Sequence, residues 1–341
     1  MHRKLLGMVL IAALFLSCLG SGEITEKETI TIVDAMNKSV EVPCPPERIV
    51  CLNHIVNEII SALGEGDRIV ARDEYSIFPT VIKEKALVGR CTRPDVELLL
   101  EQKPDLIIAP VQYFKGGEEE SIRDSNIPLV MLKPCEGENL MPSIILLGEI
   151  LGQDKKAKEL ADYITGYQDL VQSRVAGLKD EDKPRVFYES SAYRTSAKGY
   201  LAKRIAEVGG INIADDLAVG SSPTVSPEWV VEENPDIIIH WSGTTEQGSE
   251  LPTAEALSKV RDEVLNRSGL SDVKAVESGK VYVISKEVTT GPRMVVGLLY
   301  FAKWINPQLF EDIDPAGIYK EVLEKFYPGE VARGTFGYPE S

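Results

Sequence analysis

Two glutamates occupy the same place in two matching stretches. Residues 95–110 read DVELLLEQKPDLIIAP and residues 226–241 read SPEWVVEENPDIIIHW. Each stretch has a Glu (Glu97, Glu228), an amphipathic helical turn or two, and then Pro-Asp at the same distance (Pro104-Asp105, Pro235-Asp236). Two carboxylates could serve as general acid and base, as in a glycosidase, but only within roughly 10 Å of each other. A carboxylate in the first turn of a helix also favours the helix dipole without doing any chemistry. Pro94-Asp95 and Ser226-Pro227 both read as helix starts, which makes the pair a poor acid–base couple. The chain has no GxSxG, no Walker loop, no HExxH, and no GxGxxG after its first strand, so an enzyme is not expected. His2 falls in the N-terminal leader, and His54 and His240 are too few for the cluster that holds bare zinc or manganese. The cysteines beyond Cys18 (Cys44, Cys51, Cys91, Cys135) lack CxxC spacing, which argues against a zinc site. In an exported chain they allow three complete disulfide pairings, and the expectation is a Cys44–Cys135 bridge with Cys51 and Cys91 free.

The repeat dictates how the rest of the chain must be arranged. Pro-Asp followed by LIIA or IIIH reads as helix end, tight turn and buried strand. The match extends upstream, where residues 48–71 and 185–214 both read as strand, loop, helix, Gly turn, strand. Copies about 130 residues apart are too distant for a solenoid, whose repeats run ~20–50 residues. Two similar lobes facing one another are therefore expected. A length of 341 residues fits about two domains, and a 43% apolar fraction supplies two cores. A net charge of −16 makes nucleic acid a poor partner.

In chain order, residues 1–18 read as an export signal, with His2-Arg3-Lys4 ahead of the apolar Leu5–Leu16 stretch. That stretch is too short to span a bilayer, which takes ~20 residues. Its ending, FLSC, resembles the lipobox of lipoproteins, which implies lipidation at Cys18. Residues 19–28 are a polar tether. Residues 29–150 form a first α/β lobe, opening with a hairpin around Asn37-Lys38 and continuing as alternating strands and helices. That alternation predicts a mostly parallel sheet covered by helices on both faces. Gly152 splits the next helical pattern into 140–151 and 154–178. The second piece, at 1.5 Å per residue, is about 37 Å long and forms the core of a linker over 151–183. Residues 184–341 make the second lobe, with RVFYE, a helix over 199–208, NIADDL, the repeat, KVYVIS, and helices over 293–304 and 315–326.

The order VDAxNxxVEVPxPPERIVCL, TRPDVELLLEQKPDLIIA, long helix, VSPEWVVEENPDIIIHW and GKVYVI…GPR resembles the solute-binding proteins of ABC importers for iron complexes and cobalamin. The resemblance spans about residues 29–327 and is to the class whose two Rossmann-like lobes are joined by a single helix. It implies a monomeric, extracytoplasmic lipoprotein, in the periplasm or on the outer face of the membrane. Such a protein has no cofactor of its own and delivers its ligand to a permease dimer with its ATPase. It also implies that Glu97 and Glu228 dock on permease arginines, since carboxylate–Arg pairs are strong and directional. A chelate sensor or scavenger without an importer is a further reading.

In open α/β sheets ligands lie beyond the carboxyl ends of strands. The candidates are Asn53, His54, Glu74, Tyr75, Arg90, Cys91 and Tyr113 in the first lobe, and Tyr188, Ser191, Tyr193, His240, Trp241 and Arg293 in the second. Aromatics and Arg suit a large planar or anionic chelate: a ferric siderophore, haem or a corrinoid. Arg293, just after Gly291-Pro292, matches a frequent ligand-side Arg of the family. His54 and His240, one per lobe, could each approach a haem or corrinoid metal, or be partly buried polar residues.

Overall fold

The structure is a computed structural model describing residues 28–340, except 112–113, 115–116, 135–136, 198, 218–221 and 244–251. The expected signal, its Cys18, Tyr113 and Cys135 lie outside the described residues.

The first lobe opens with an antiparallel hairpin, β1 (Thr29–Val33) and β2 (Ser39–Pro43). Asp34 closes its turn by accepting from the backbone N–H groups of Met36 and Lys38 at 2.8 and 2.9 Å. Then come β3 (Ile49–Cys51), α1 (His54–Ala62), β4 (Ile69–Arg72), α2 (Thr80–Lys83), β5 (Ala86–Leu87) and the small pair β6 (Gly89–Arg90) and β7 (Arg93–Pro94). They are followed by α3 (Val96–Glu101), β8 (Leu106–Pro110), α4 (Glu118–Asp124), β9 (Leu129–Leu132) and α5 (Leu140–Leu151). The sheet runs β5-β4-β3-β8-β9, all parallel. β3, β8 and β9 are buried at every residue, as strands covered on both faces must be.

The linker helix α6 (Asp154–Val175) is three residues shorter than expected, with the chain turning before Gly177. The second lobe has β10 (Arg185–Ser191), β11 (Arg194–Thr195), α7 (Tyr200–Glu207), β12 (Ile211–Asn212), α8 (Pro227–Glu233) and β13 (Ile237–Ser242). It ends with α9 (Ala254–Leu265), α10 (Lys274–Glu277), β14 (Val281–Ser285), α11 (Met294–Ile305), α12 (Pro315–Phe326) and β15 (Gly337–Tyr338). The central β10, β13 and β14 are parallel, with β11 and β15 antiparallel at the edges. Of NIADDL only Asn212 enters a strand, the two-residue β12, and its side chain donates to Asp215 and the Ser196 carbonyl.

The repeated element is one packing module used twice. Asp95 and Ser226 cap α3 and α8 through the backbone N–H groups of Leu98 (3.1 Å) and Trp229 (3.2 Å). Leu99 and Val230, each three residues past the start of its helix, are fully buried. Lys103 and Asn234 then take positive φ (50° and 44°) just before Pro-Asp. Asp105 accepts from the Arg48 backbone N–H at 2.8 Å, and Asp236 from that of Arg185 at 2.9 Å. The same two arginines reach back to the helix ends, Arg48 to the Gln102 and Lys103 carbonyls and Arg185 to that of Glu233. Each guanidinium thus sits at the negative end of a helix dipole.

The lobes share apolar material. One continuous cluster joins Ile55, Val56 and Ile59 of α1 to Ile144 of α5, Leu160 and Ile164 of α6, Ile239 of β13 and Val295 and Leu299 of α11. Each sheet's other face has its own smaller core, around Ile107 and Val50 in the first lobe and Phe187 and Ile238 in the second. Among the described residues no helix is long and apolar enough to cross a membrane.

Candidate functional site

The strand ends of the first lobe lead into α1, whose N-terminus is capped by Asn53 accepting from the backbone N–H groups of Ile55 and Val56. His54 is the first residue of α1 and half-buried. Burial pushes its imidazole down to about 4, helped by the charges of Arg293 and Lys286 from the second lobe. His54 is therefore uncharged at neutral pH and stands where the two lobes meet.

One helical turn further on, Glu58 is 4% exposed. It takes Arg293 in a bidentate pair, Nε to Oε2 at 3.0 Å and Nη2 to Oε1 at 2.8 Å. Arg293, expected on the ligand side, is deeply seated here. It is 2% exposed, its guanidinium lies 3.9 Å over the Phe78 ring, and Glu287 is 3.7 Å away. Burial alone would lower Arg293, but the Glu58 carboxylate reverses that and holds it above its ordinary value. Two glycines make this seat possible. A Cβ on Gly297 would lie 2.2 Å from the Val288 carbonyl oxygen, and Gly291, at φ +66°, brings its turn against Ile55 and Glu58. Arg293 is thus a tie between lobes.

Tyr75 is 54% exposed, next to Glu74, which pairs with Arg90 at 2.8 Å. A hydrogen bond to Glu74 pushes the Tyr75 phenol up. Cys91 is half-buried, and burial together with Asp73 pushes its thiol up to about 11, so it is a poor nucleophile. Cys51 is buried, and Cys44 has a free thiol 3.5 Å from the Glu149 carbonyl oxygen, in place of the expected bridge.

In the second lobe, Glu189 on β10 and His240 on β13 are register partners on adjacent parallel strands. Glu189 is fully buried and accepts from His240 Nδ1 at 2.8 Å, Arg267 Nη1 at 2.8 Å and the Tyr193 backbone N–H at 2.9 Å. Burial would raise its carboxyl, but the hydrogen bonds from His240 and Arg267 outweigh that and hold it low. Arg267 also lies 5.1 Å over the Tyr193 ring. Trp241 is half-buried and donates from Nε1 to Thr289 at 3.2 Å. Ser191 is exposed at the end of β10. Tyr188, a strand-end candidate, is instead a core residue at 1% exposure, because its position in β10 faces the shared core.

The structure thus brings His54, Lys286 and Arg293 together at the lobe boundary, and gathers Tyr193 and Arg267 around Glu189 and His240, which lie within β10 and β13. Glu97 and Glu228 are exposed, each the second residue of its helix. A backbone hydrogen bond, with help from the Ser226 hydroxyl, lowers the Glu228 carboxyl. Sequence reasoning passed over Glu58, Glu189 and Arg267. The i,i+4 spacing of His54 and Glu58 was the available signal for the first, and the alternation of Phe187 and Glu189 for the second.

Residues 49–288 match the family described as periplasmic binding protein. The chain is 27% identical over 297 residues to YvrC, an ABC transporter substrate-binding lipoprotein of Bacillus subtilis, covering 84% of this chain and 89% of that one. It is 24% identical over 219 residues to a cobalamin-binding protein of Halobacterium salinarum, covering 62% of this chain and 58% of that one. Among solved structures, the TroA-like periplasmic binding protein FepB of Veillonella parvula superposes with a TM-score of 0.77 at 24% identity, over 90% of this chain and 99% of that one. The molybdate-binding MolA of Haemophilus influenzae superposes at 0.74 with 21% identity, over 89% and 99%.

Proposed function

The chain belongs to the periplasmic binding protein family as a substrate-binding protein of an ABC importer, and we propose that its cargo is a metal chelate held between the lobes. The chelate we favour is a metal-bearing tetrapyrrole, either haem or a corrinoid. The supporting observation is the pair of histidines, His54 opening α1 and His240 within β13, one from each lobe. Arg293, the cation best suited to an anionic siderophore, is committed to Glu58. The similarity to a cobalamin-binding protein points the same way. A ferric siderophore is the second reading, favoured by the exposed Tyr75 beside Glu74 and Arg90. On this reading the protein is a monomer tethered by a lipid on Cys18, and it docks on its permease through Glu97 and Glu228.

The test is a set of titrations of the mature protein with aquocobalamin, with ferric haem and with ferric siderophores, followed by tryptophan fluorescence. Saturable binding of one tetrapyrrole is expected. Binding of siderophores alone would replace the first reading with the second.

A further inference from the structure

Residues 73–79, the loop between β4 and α2, are held at one end by the first lobe and at the other by the second. At the first-lobe end Asp73, 1% exposed, accepts from the Ser76 hydroxyl, and Ser76 accepts from Asn57 Nδ2 of α1 at 2.7 Å. At the other end the Phe78 ring lies beneath the Arg293 guanidinium and meets the Tyr327 ring edge-on, with centroids 5.0 Å apart. Glu330 completes that grip. Its Oε1 accepts from the Thr80 backbone N–H at 2.6 Å, and its Oε2 from the Thr80 hydroxyl at 3.1 Å. Arg293, Tyr327 and Glu330 all belong to the second lobe. The stretch beyond Glu330 is itself anchored, because β15 pairs with β14 and the Phe336 ring packs 4.4 Å from that of Tyr319. Between the two grips Tyr75 and Ile77 are 54% and 36% exposed. An aromatic ring and a branched apolar side chain presented together suit the flat, apolar face of a chelate.

We propose that Glu330 is the positioning residue for this loop, holding Tyr75 and Ile77 where the cargo meets the lobe boundary. The second lobe's C-terminal segment thereby sets part of the binding surface of the first. This rests on the chelate reading above and holds for any of the chelates. Tyr75 and Ile77 touch the cargo, and Glu330 acts only through the loop. A loop ordered before the cargo arrives spares binding the entropy of ordering it. The grip also couples binding to the arrangement of the lobes. A cargo that needs Tyr75 in place favours the lobes together, and parting the lobes frees the loop and weakens the cargo's hold.

The experiment follows amide hydrogen exchange in the loop of the mature protein by mass spectrometry, beside titrations with aquocobalamin, ferric haem and a ferric siderophore. Exchange there is measurable because the Ser76 and Ile77 N–H groups bond within the loop, to the Asp73 and Tyr75 carbonyls at 3.3 and 3.1 Å. The variants are Glu330→Ala, Glu330→Gln, whose amide oxygen can still accept from the Thr80 N–H, and Tyr75→Ala. Glu330→Ala should speed exchange in the loop by about 2- to 10-fold, the worth of a lost hydrogen bond, and leave the β1–β2 hairpin unchanged. It should weaken the probe that binds the wild type by a similar factor, and Tyr75→Ala should weaken it at least as much. Glu330→Gln should restore both exchange and affinity. Unchanged loop exchange in Glu330→Ala overturns the positioning. Faster exchange at unchanged affinity, or full affinity in Tyr75→Ala, shows that the loop is no cargo surface and overturns it too. Glu330→Gln as damaging as Glu330→Ala assigns the effect to charge and overturns the cap. If none of the three probes binds the wild type, the chelate reading fails, and exchange alone decides whether Glu330 holds the loop.

Discussion

Arg293 and Glu58 meet from opposite lobes at 2% and 4% exposure. An ion pair this deep is maintained by its two N–H···O bonds, and losing one partner leaves a buried charge uncompensated, at a cost of about 3–5 kcal/mol. Glu58→Gln should lower unfolding stability by that order in urea titrations, while Glu58→Met with Arg293→Met should recover much of the loss. A Glu58→Gln protein within ~0.5 kcal/mol of wild type would mean the pair does not hold the lobes. His54 predicts a pH effect. Its folded value lies near 4 against an ordinary 6.5. Between those values the unfolded chain binds a proton that the folded chain does not, so stability falls as pH drops from about 6.5 toward about 4. The slope is at most about 1.4 kcal/mol per pH unit. His54→Gln should flatten the urea midpoint across that window. Glu189 acts at lower pH: its depressed carboxyl contributes stability above its ordinary value of 4.5, lost as pH falls through the folded value. His54 and His240 could be picked out from the sequence, whereas Glu58 offers only its i,i+4 spacing from His54. HIVNEIISA reads as a helix with a solvated Glu, and the partner that buries it lies 235 residues away.

At the scale of elements, the twofold module was legible because its signals are local. The caps, the Pro-Asp turn and the β-branched strand all fall within sixteen residues of each copy. What the sequence did not disclose was that Arg48, just before β3, and Arg185, opening β10, clasp the ends of α3 and α8 from more than fifty residues before Asp105 and Asp236. The short edge strands β11 and β15 also escaped, since two residues carry no periodicity and their pairing is set by neighbours. The capped and clasped helices hold the exposed Glu97 and Glu228 in equivalent places, as a two-fold partner would need. Glu97→Ala with Glu228→Ala should leave chelate affinity unchanged and abolish permease-stimulated ATP hydrolysis in reconstituted vesicles. Hydrolysis at the wild-type rate would show that the two carboxylates serve only their helix dipoles.

For the whole molecule, the shared core changes what two lobes joined by a helix means. A linker alone would let each lobe open and unfold by itself. Here α1 of the first lobe and α11 of the second belong to one apolar cluster with α5 and α6. The Glu58–Arg293 pair and the hydrogen bond from the Thr80 backbone N–H to Glu330 (2.6 Å) add ties across the same boundary. Separating the lobes would expose that surface and break a buried pair at once, so ligand capture should proceed with little lobe movement. The same argument makes unfolding a single event, and the sequence supplies the probe. All three tryptophans, Trp229, Trp241 and Trp304, lie in the second lobe, whereas far-ultraviolet circular dichroism reports helices of both lobes. Urea unfolding curves from the two signals should coincide, as cooperative transitions do. Separate midpoints would show that the lobes unfold independently, and that the shared cluster does not couple them.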